Sequence, residues 1–270
     1  MMKTMLLQHG MLVACMLLSA LQVSAKGCVV DKMVGTDVHA ESPKVEVYTV
    51  KGVKFAMVTV EGGMFLMGSN SGGYDEQPAH LVKLKRFAIG QTEVTQELWE
   101  AVMGSNPSAW KGAKYPVESV SWDDCQAFIK KLNRLTGRRF RLPKEAEWEY
   151  AAGGGNQSKG YTYSGSNNIG DVAWCDNGIY SRPHMVATKE PNELGLYDMS
   201  GNVWEWCHDW YYDDYYFESP IKNPPGPYEG TDRVIRGGSW GSIENLCRVI
   251  ERNFYFQEGV ANIVGLRLAL

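Results

Sequence analysis

Asp198 and Glu205 flank a Ser200-Gly201-Asn202 turn. Two carboxylates beside backbone carbonyls turned inward are the hard oxygen donors that calcium prefers. Glu205 also stands between Trp204 and Trp206, so the competing reading is a buried acid whose oxygens accept hydrogen bonds. A second candidate centre is Cys247, the single cysteine that follows Arg236-Gly-Gly-Ser-Trp240. The plainest reading of Cys247 is a small buried hydrophobe. Asp209, Asp213 and Asp214 mimic the paired carboxylates of a glycosidase, yet such Tyr-Asp runs read as solvated loop. The five histidines are scattered and no Cys-x-x-Cys occurs, which argues against zinc. Gly153-Gly-Gly155 ends a helical pattern rather than opening one, unlike a phosphate loop. A net charge of −4 gives no basis for a nucleic-acid partner.

Several elements must position these groups. Phe55–Val60 and Met64–Met67 read as two strands around Gly62-Gly63, and His80–Ile89 alternates as one half-buried strand. Thr95 caps a helix that ends at Gly104. Ser121-Trp-Asp-Asp124 is a capping box, and Cys125, Phe128, Ile129, Leu132 and Leu135 follow at helical spacing until Gly137. Pro143 to Ala152 forms a further short helix. Beyond residue 155, aromatic segments alternate with Gly, Asn, Pro and Asp, which predicts structured loops and a few strands. With nine tryptophans and 29 glycines, the composition favours a loop-rich α+β fold.

Glu61-Gly-Gly-Met-Phe-Leu-Met-Gly-Ser69, Arg141-Leu-Pro-Lys-Glu-Ala-Glu-Trp-Glu-Tyr150, Asn192 to Trp206, Arg233 to Trp240 and Gly265-Leu-Arg-Leu-Ala269 occur in this order. Together they strongly resemble the formylglycine-generating enzyme, or sulfatase-modifying factor, family. The resemblance implies a C-type-lectin-like α+β fold with short helices, short antiparallel strands and calcium-supported loops. It implies calcium ligands at the side chains of Asp198 and Glu205 and the carbonyls of Gly201 and Val203. In the oxidases of this family two cysteines hold copper(I). Carried onto this chain, those positions are Cys247 and Ser242, so copper is not expected. Trp204 and Ser239 match residues that line the oxidase pocket.

The C-terminal layout also resembles lectin-fold proteins diversified by retroelements, in which variable contact positions sit in a fixed scaffold. Gly241, Ser242, Ile243, Leu246, Ile250, Phe254, Tyr255, Phe256, Val260 and Ala261 are all reachable from an asparagine codon by adenine changes. With Trp204, Ser239 and Trp240, the positions Ser242, Ile243, Leu246, Ile250, Phe254, Tyr255 and Phe256 form the expected pocket or ligand surface.

Residues 1–25 read as an export signal: Lys3, an apolar run from Met11 to Val23, and a Val23-Ser-Ala25 cleavage site. Leu12-Val-Ala-Cys15 offers the alternative of a lipoprotein anchored at Cys15, the one route by which a membrane enters. Residues 26–50 read as a linker or leader, and residues 51–270 as one domain. The expectation is an exported, periplasmic, cell-surface or secreted protein that binds a protein or glycan without catalysis. The alternative is an oxidase converting a sulfatase cysteine to formylglycine, with Cys247 as its catalytic thiol.

Overall fold

The computed structural model describes residues 44–176, 178 and 181–270. The signal segment, Cys15, Cys28 and the linker up to residue 43 lie outside the described residues. Strand β1 (Val45–Val50) pairs antiparallel with β2 (Val53–Val60). The linker boundary expected at residue 51 therefore moves to Val45, because Val45–Val50 finds backbone partners along Val53–Val58 of β2. Strand β3 (Met64–Met67) pairs with β4 (His80–Lys83), whereas β5 (Phe87–Gly90) adds to β2. Two expectations change here. Strands β2 and β3 are not hairpin partners, and His80–Ile89 is two strands in separate sheets, broken over Leu84 to Arg86.

Helix α1 (Gln96–Met103) is capped by Thr95, whose hydroxyl accepts from the Leu98 amide, and stops at Gly104. Helix α2 (Trp122–Thr136) opens on the reciprocal Ser121–Asp124 capping box and stops at Gly137. Trp99 of α1 stacks on Phe128 of α2 with ring centroids 4.8 Å apart. Leu135, expected on the buried face, is instead half exposed near the helix end, where the chain has passed the core. Helix α3 (Glu145–Ala152) begins two residues after Pro143 and has no solvent face: all eight residues are buried.

The C-terminal half builds a four-stranded sheet in the order β8-β7-β6-β9, from β6 (Trp204–Trp210), β7 (Asp232–Arg236), β8 (Arg252–Phe256) and β9 (Val264–Leu266). Strands β6 and β9 run parallel and the other pairs antiparallel. Short helices, short mainly antiparallel strands and long ordered loops make this an α+β fold.

Candidate functional site

Helix α3 supplies acids that the C-terminal sheet answers with arginines. Glu145 accepts from Arg252 at 2.7 and 3.0 Å, and Glu149 pairs with Arg236. Although burial opposes it, Arg252 and Arg236 hold the Glu145 carboxyl below its usual range. Trp148 donates its indole N–H to Glu205 at 2.7 Å. Ion pairs this deep contribute little net stability, but removing one partner leaves a buried charge without compensation. They act as a jig that fixes how α3, β6, β7 and β8 meet.

Asp209, expected in a solvated loop, is buried beneath the same jig and accepts the Glu145 amide at 2.9 Å. Burial, then the Glu145 charge, pushes its carboxyl up to about 8. The folded protein thus keeps a proton that the unfolded chain releases above about pH 4. Stability should fall as pH rises from there to about 8 and then level off. Asp209→Asn should remove that part of the slope, measured by urea unfolding across the same range. An unchanged slope would reassign it to other acids.

Of the expected calcium ligands, Glu205 is already engaged. Both oxygens of Glu205 are taken: Arg267 donates to them at 2.7 to 3.0 Å and Trp148 donates to one of them. Arg267 is itself fixed to the Gly90 and Tyr197 carbonyls, each at 2.8 Å. A guanidinium in that position both occupies and repels what a divalent cation would need, so the donor set does not fit calcium. Asp198 accepts the Ala187 amide through Oδ2 at 2.7 Å and leaves Oδ1 buried without a partner. Burial raises its carboxyl to about 6. Its acidic neighbour is Glu93, which sequence reasoning missed. Glu93 accepts from Asn202 at 3.1 Å, and burial followed by the Asp198 charge pushes it well above the usual range. Among the described residues no group of three or more His, Cys, Asp or Glu is arranged for a metal. Calcium or a chelator should leave Tm unchanged, as scanning calorimetry would report; a calcium-dependent rise would show that Arg267 gives way.

Around Cys247 the positions carried over from the oxidases do come together, and they are buried. The Ser239 and Ser242 hydroxyls lie 3.0 Å apart, and Ser242 also accepts the Ser239 amide at 3.0 Å. Ser242 therefore serves as a local brace for the turn after β7. Cys247 lies at the end of a 3-10 turn (Glu244–Cys247), and its thiol is pushed up to about 12 by burial, then by the neighbouring Cys175. A thiol held protonated and buried in this way is a poor metal ligand and lies out of reach of an external electrophile. Trp204, expected in a pocket wall, belongs to the hydrophobic core. Trp204, Ser239 and Ser242 thus leave the expected ligand surface.

The remaining surface positions divide by strand alternation. On β8, Phe254 and Phe256 point outward, 45% and 51% exposed, while Tyr255 faces the core beside Trp206. Leu246 likewise packs inward. Ile243 and Val260 are exposed, Ile250 is half-buried, and half-exposed Trp240 meets Trp110 edge to face at 6.2 Å.

The described domain is matched over residues 45–270 by the model for the sulfatase-modifying factor enzyme 1-like domain. The chain is 34% identical to the chaperone protein LppX of Paenibacillus barcinonensis, over 78% of this chain and 88% of that protein. It is 32% identical to the formylglycine-generating enzyme of Streptomyces coelicolor, with the same coverage of 78% and 88%. Among solved structures, Treponema denticola variable protein 1 superimposes with a TM-score of 0.78 at 35% identity, covering 84% of this chain and 99% of that one. PvdO from Pseudomonas aeruginosa follows with a TM-score of 0.71 at 27% identity, over 83% and 97% of the two chains. The motif order, the fold and these matches together place the chain in the formylglycine-generating enzyme and sulfatase-modifying factor family.

Proposed function

We propose that this family member is an exported binding protein without the family's oxidase chemistry, and that it takes a protein or glycan ligand on its C-terminal surface. The observation that carries this reading is β8. Its Arg252 is locked to buried Glu145, while Phe254 and Phe256 on the same short strand project into solvent. Rigid aromatic side chains on a fixed frame suit ligand capture at low entropic cost. Ser242 in place of a second thiol, and a Cys247 thiol suppressed by burial, speak against copper(I) catalysis at the family's position. Similarity to a protein named as variable supports diversification of the exposed positions. A copy of the gene's 3′ end nearby, differing only at adenines, would be its genetic mark, and absence of such a copy would remove diversification from the reading. Export rests on the apolar run and cleavage pattern before Lys26.

Glycan and protein arrays probed with the wild type and with Phe254→Ala/Phe256→Ala test the surface. The variant should stay folded and unfold a few degrees below the wild type, because the truncations give up the Phe254–Tyr211 and Phe256–Tyr255 ring contacts, each worth about 0.5–1.5 kcal/mol. Its binding to any captured ligand should fall by about tenfold or more. Equal binding by both proteins would move the site elsewhere. Tight one-to-one copper(I) binding with turnover of a Cys-x-Pro-x-Arg peptide would restore the oxidase reading.

A further inference from the structure

Cys175 lies far from Cys247 in the chain, and no motif singles it out. The fold nevertheless brings its segment to the Cys247 centre by contacts on both sides of Cys175. The Trp174 carbonyl accepts the Asn202 amide at 2.7 Å, and Trp174 bridges to Gly201 as a parallel neighbour. The Asp176 amide donates to the Ser242 carbonyl at 2.9 Å. Cys175 is therefore held between the Gly201 turn and the Ser242 turn. Cys247 reaches the same two turns from the other side. Its carbonyl accepts the Ser200 hydroxyl at 2.8 Å, and its sulfur lies 3.9 Å from the Ile243 carbonyl. Cys175 and Cys247 thus border the same two turns, and the Cys175 charge, after burial, helps to hold the Cys247 thiol up. Tyr163 feels both of them, after its own burial and the Glu244 charge. Cys175 is half-buried and Cys247 fully buried, and both are free thiols.

We propose that Cys175 and Cys247 form an oxidisable thiol pair, closed to a disulfide by exchange with a low-molecular-weight disulfide. The unequal exposure sets the order of steps. The Cys175 thiolate, having lost its proton to solvent, attacks one sulfur of the external disulfide. The oxidant's S–S bond breaks and one thiolate departs. Cys247 then gives up its proton, its sulfur attacks the Cys175 sulfur, and the second external thiolate leaves. Two protein thiols have lost two electrons and two protons, and the oxidant has become two thiols. Cys247 alone is too buried for the external oxidant, and its neighbour supplies the route.

The closed bond would tie the Trp174–Asp176 segment to the turns that carry Ile243 and Trp240, whether or not a ligand binds there. Cys125 and Cys207 are fully buried with no such route, so they serve as internal controls. In the full chain treated with oxidised glutathione, non-reducing peptide mapping should find Cys175 linked to Cys247, with Cys125 and Cys207 alkylated only after unfolding. Oxidation should raise Tm by on the order of 5 °C, because closing a long loop restricts the unfolded chain. Dithiothreitol should reverse the shift, and Cys175→Ser should abolish it. Recovery of Cys175 as a stable glutathione adduct beside a free Cys247 would overturn the proposal. So would a linkage of Cys175 to any other cysteine.

Discussion

Arg267→Met should destabilise the protein by about 3–5 kcal/mol, the cost of stranding a buried carboxylate. Arg267 is wholly buried, and its guanidinium serves Glu205, the Gly90 carbonyl and the Tyr197 carbonyl together. Methionine retains only the unbranched apolar stem and satisfies none of them. Glu205 would then retain only the Trp148 indole, with the buried acids Asp198 and Glu93 nearby. Chemical unfolding monitored by tryptophan fluorescence would measure the loss. Glu205→Gln combined with Arg267→Met should recover part of it, because the orphaned charge is gone. A double variant no better than Arg267→Met would assign the cost to packing instead.

Gly201→Ala should be nearly as severe, at roughly 3 kcal/mol, from left-handed backbone strain and overpacking together. Gly201 has φ of 79°, and a Cβ there would stand 2.9 Å from the Trp174 carbonyl carbon and 3.0 Å from its amide nitrogen. Backbone cannot swing aside as a long side chain can, so the Trp174 bridge must open. Amide exchange should show the damage first at Asn202, whose N–H is held by Trp174. Unaltered protection at Asn202 would mean that the turn relaxes elsewhere.

Much of the frame was legible because its signals are local. Thr95, Ser121, Gly104 and Gly137 bound α1 and α2 as capping chemistry dictates. Helix α3 was visible by composition, although its burial on every side erased the amphipathic stripe that usually reveals how a helix packs. The pairing of strands was illegible, because Gly62-Gly63 looks like a hairpin turn whether or not the strands beside it meet. At the candidate site, two carboxylates around a tight turn matched a calcium pattern. The partner that claims Glu205, Arg267, lies 62 residues further along. The same long separation hid Glu93 beside Asp198 and Cys175 beside Cys247. Burial of Ser239 and Ser242 was equally invisible, since both residue types are usually exposed.

The buried ion pairs also bear on when this chain can fold. Arg267 closes on Gly90 across 177 residues, and Arg252 reaches Asp75 across the same span. Glu145 and Glu149 cannot be neutralised until Arg236 and Arg252 exist, and Glu205 waits for Arg267. Such distant pairings slow folding, because loop closure precedes any reward. A nascent chain emerging amino end first would remain open until its last arginine had been made. Under the proposed export, that delay would keep the chain in a state able to pass a narrow translocation channel, with the final guanidinium as the latch.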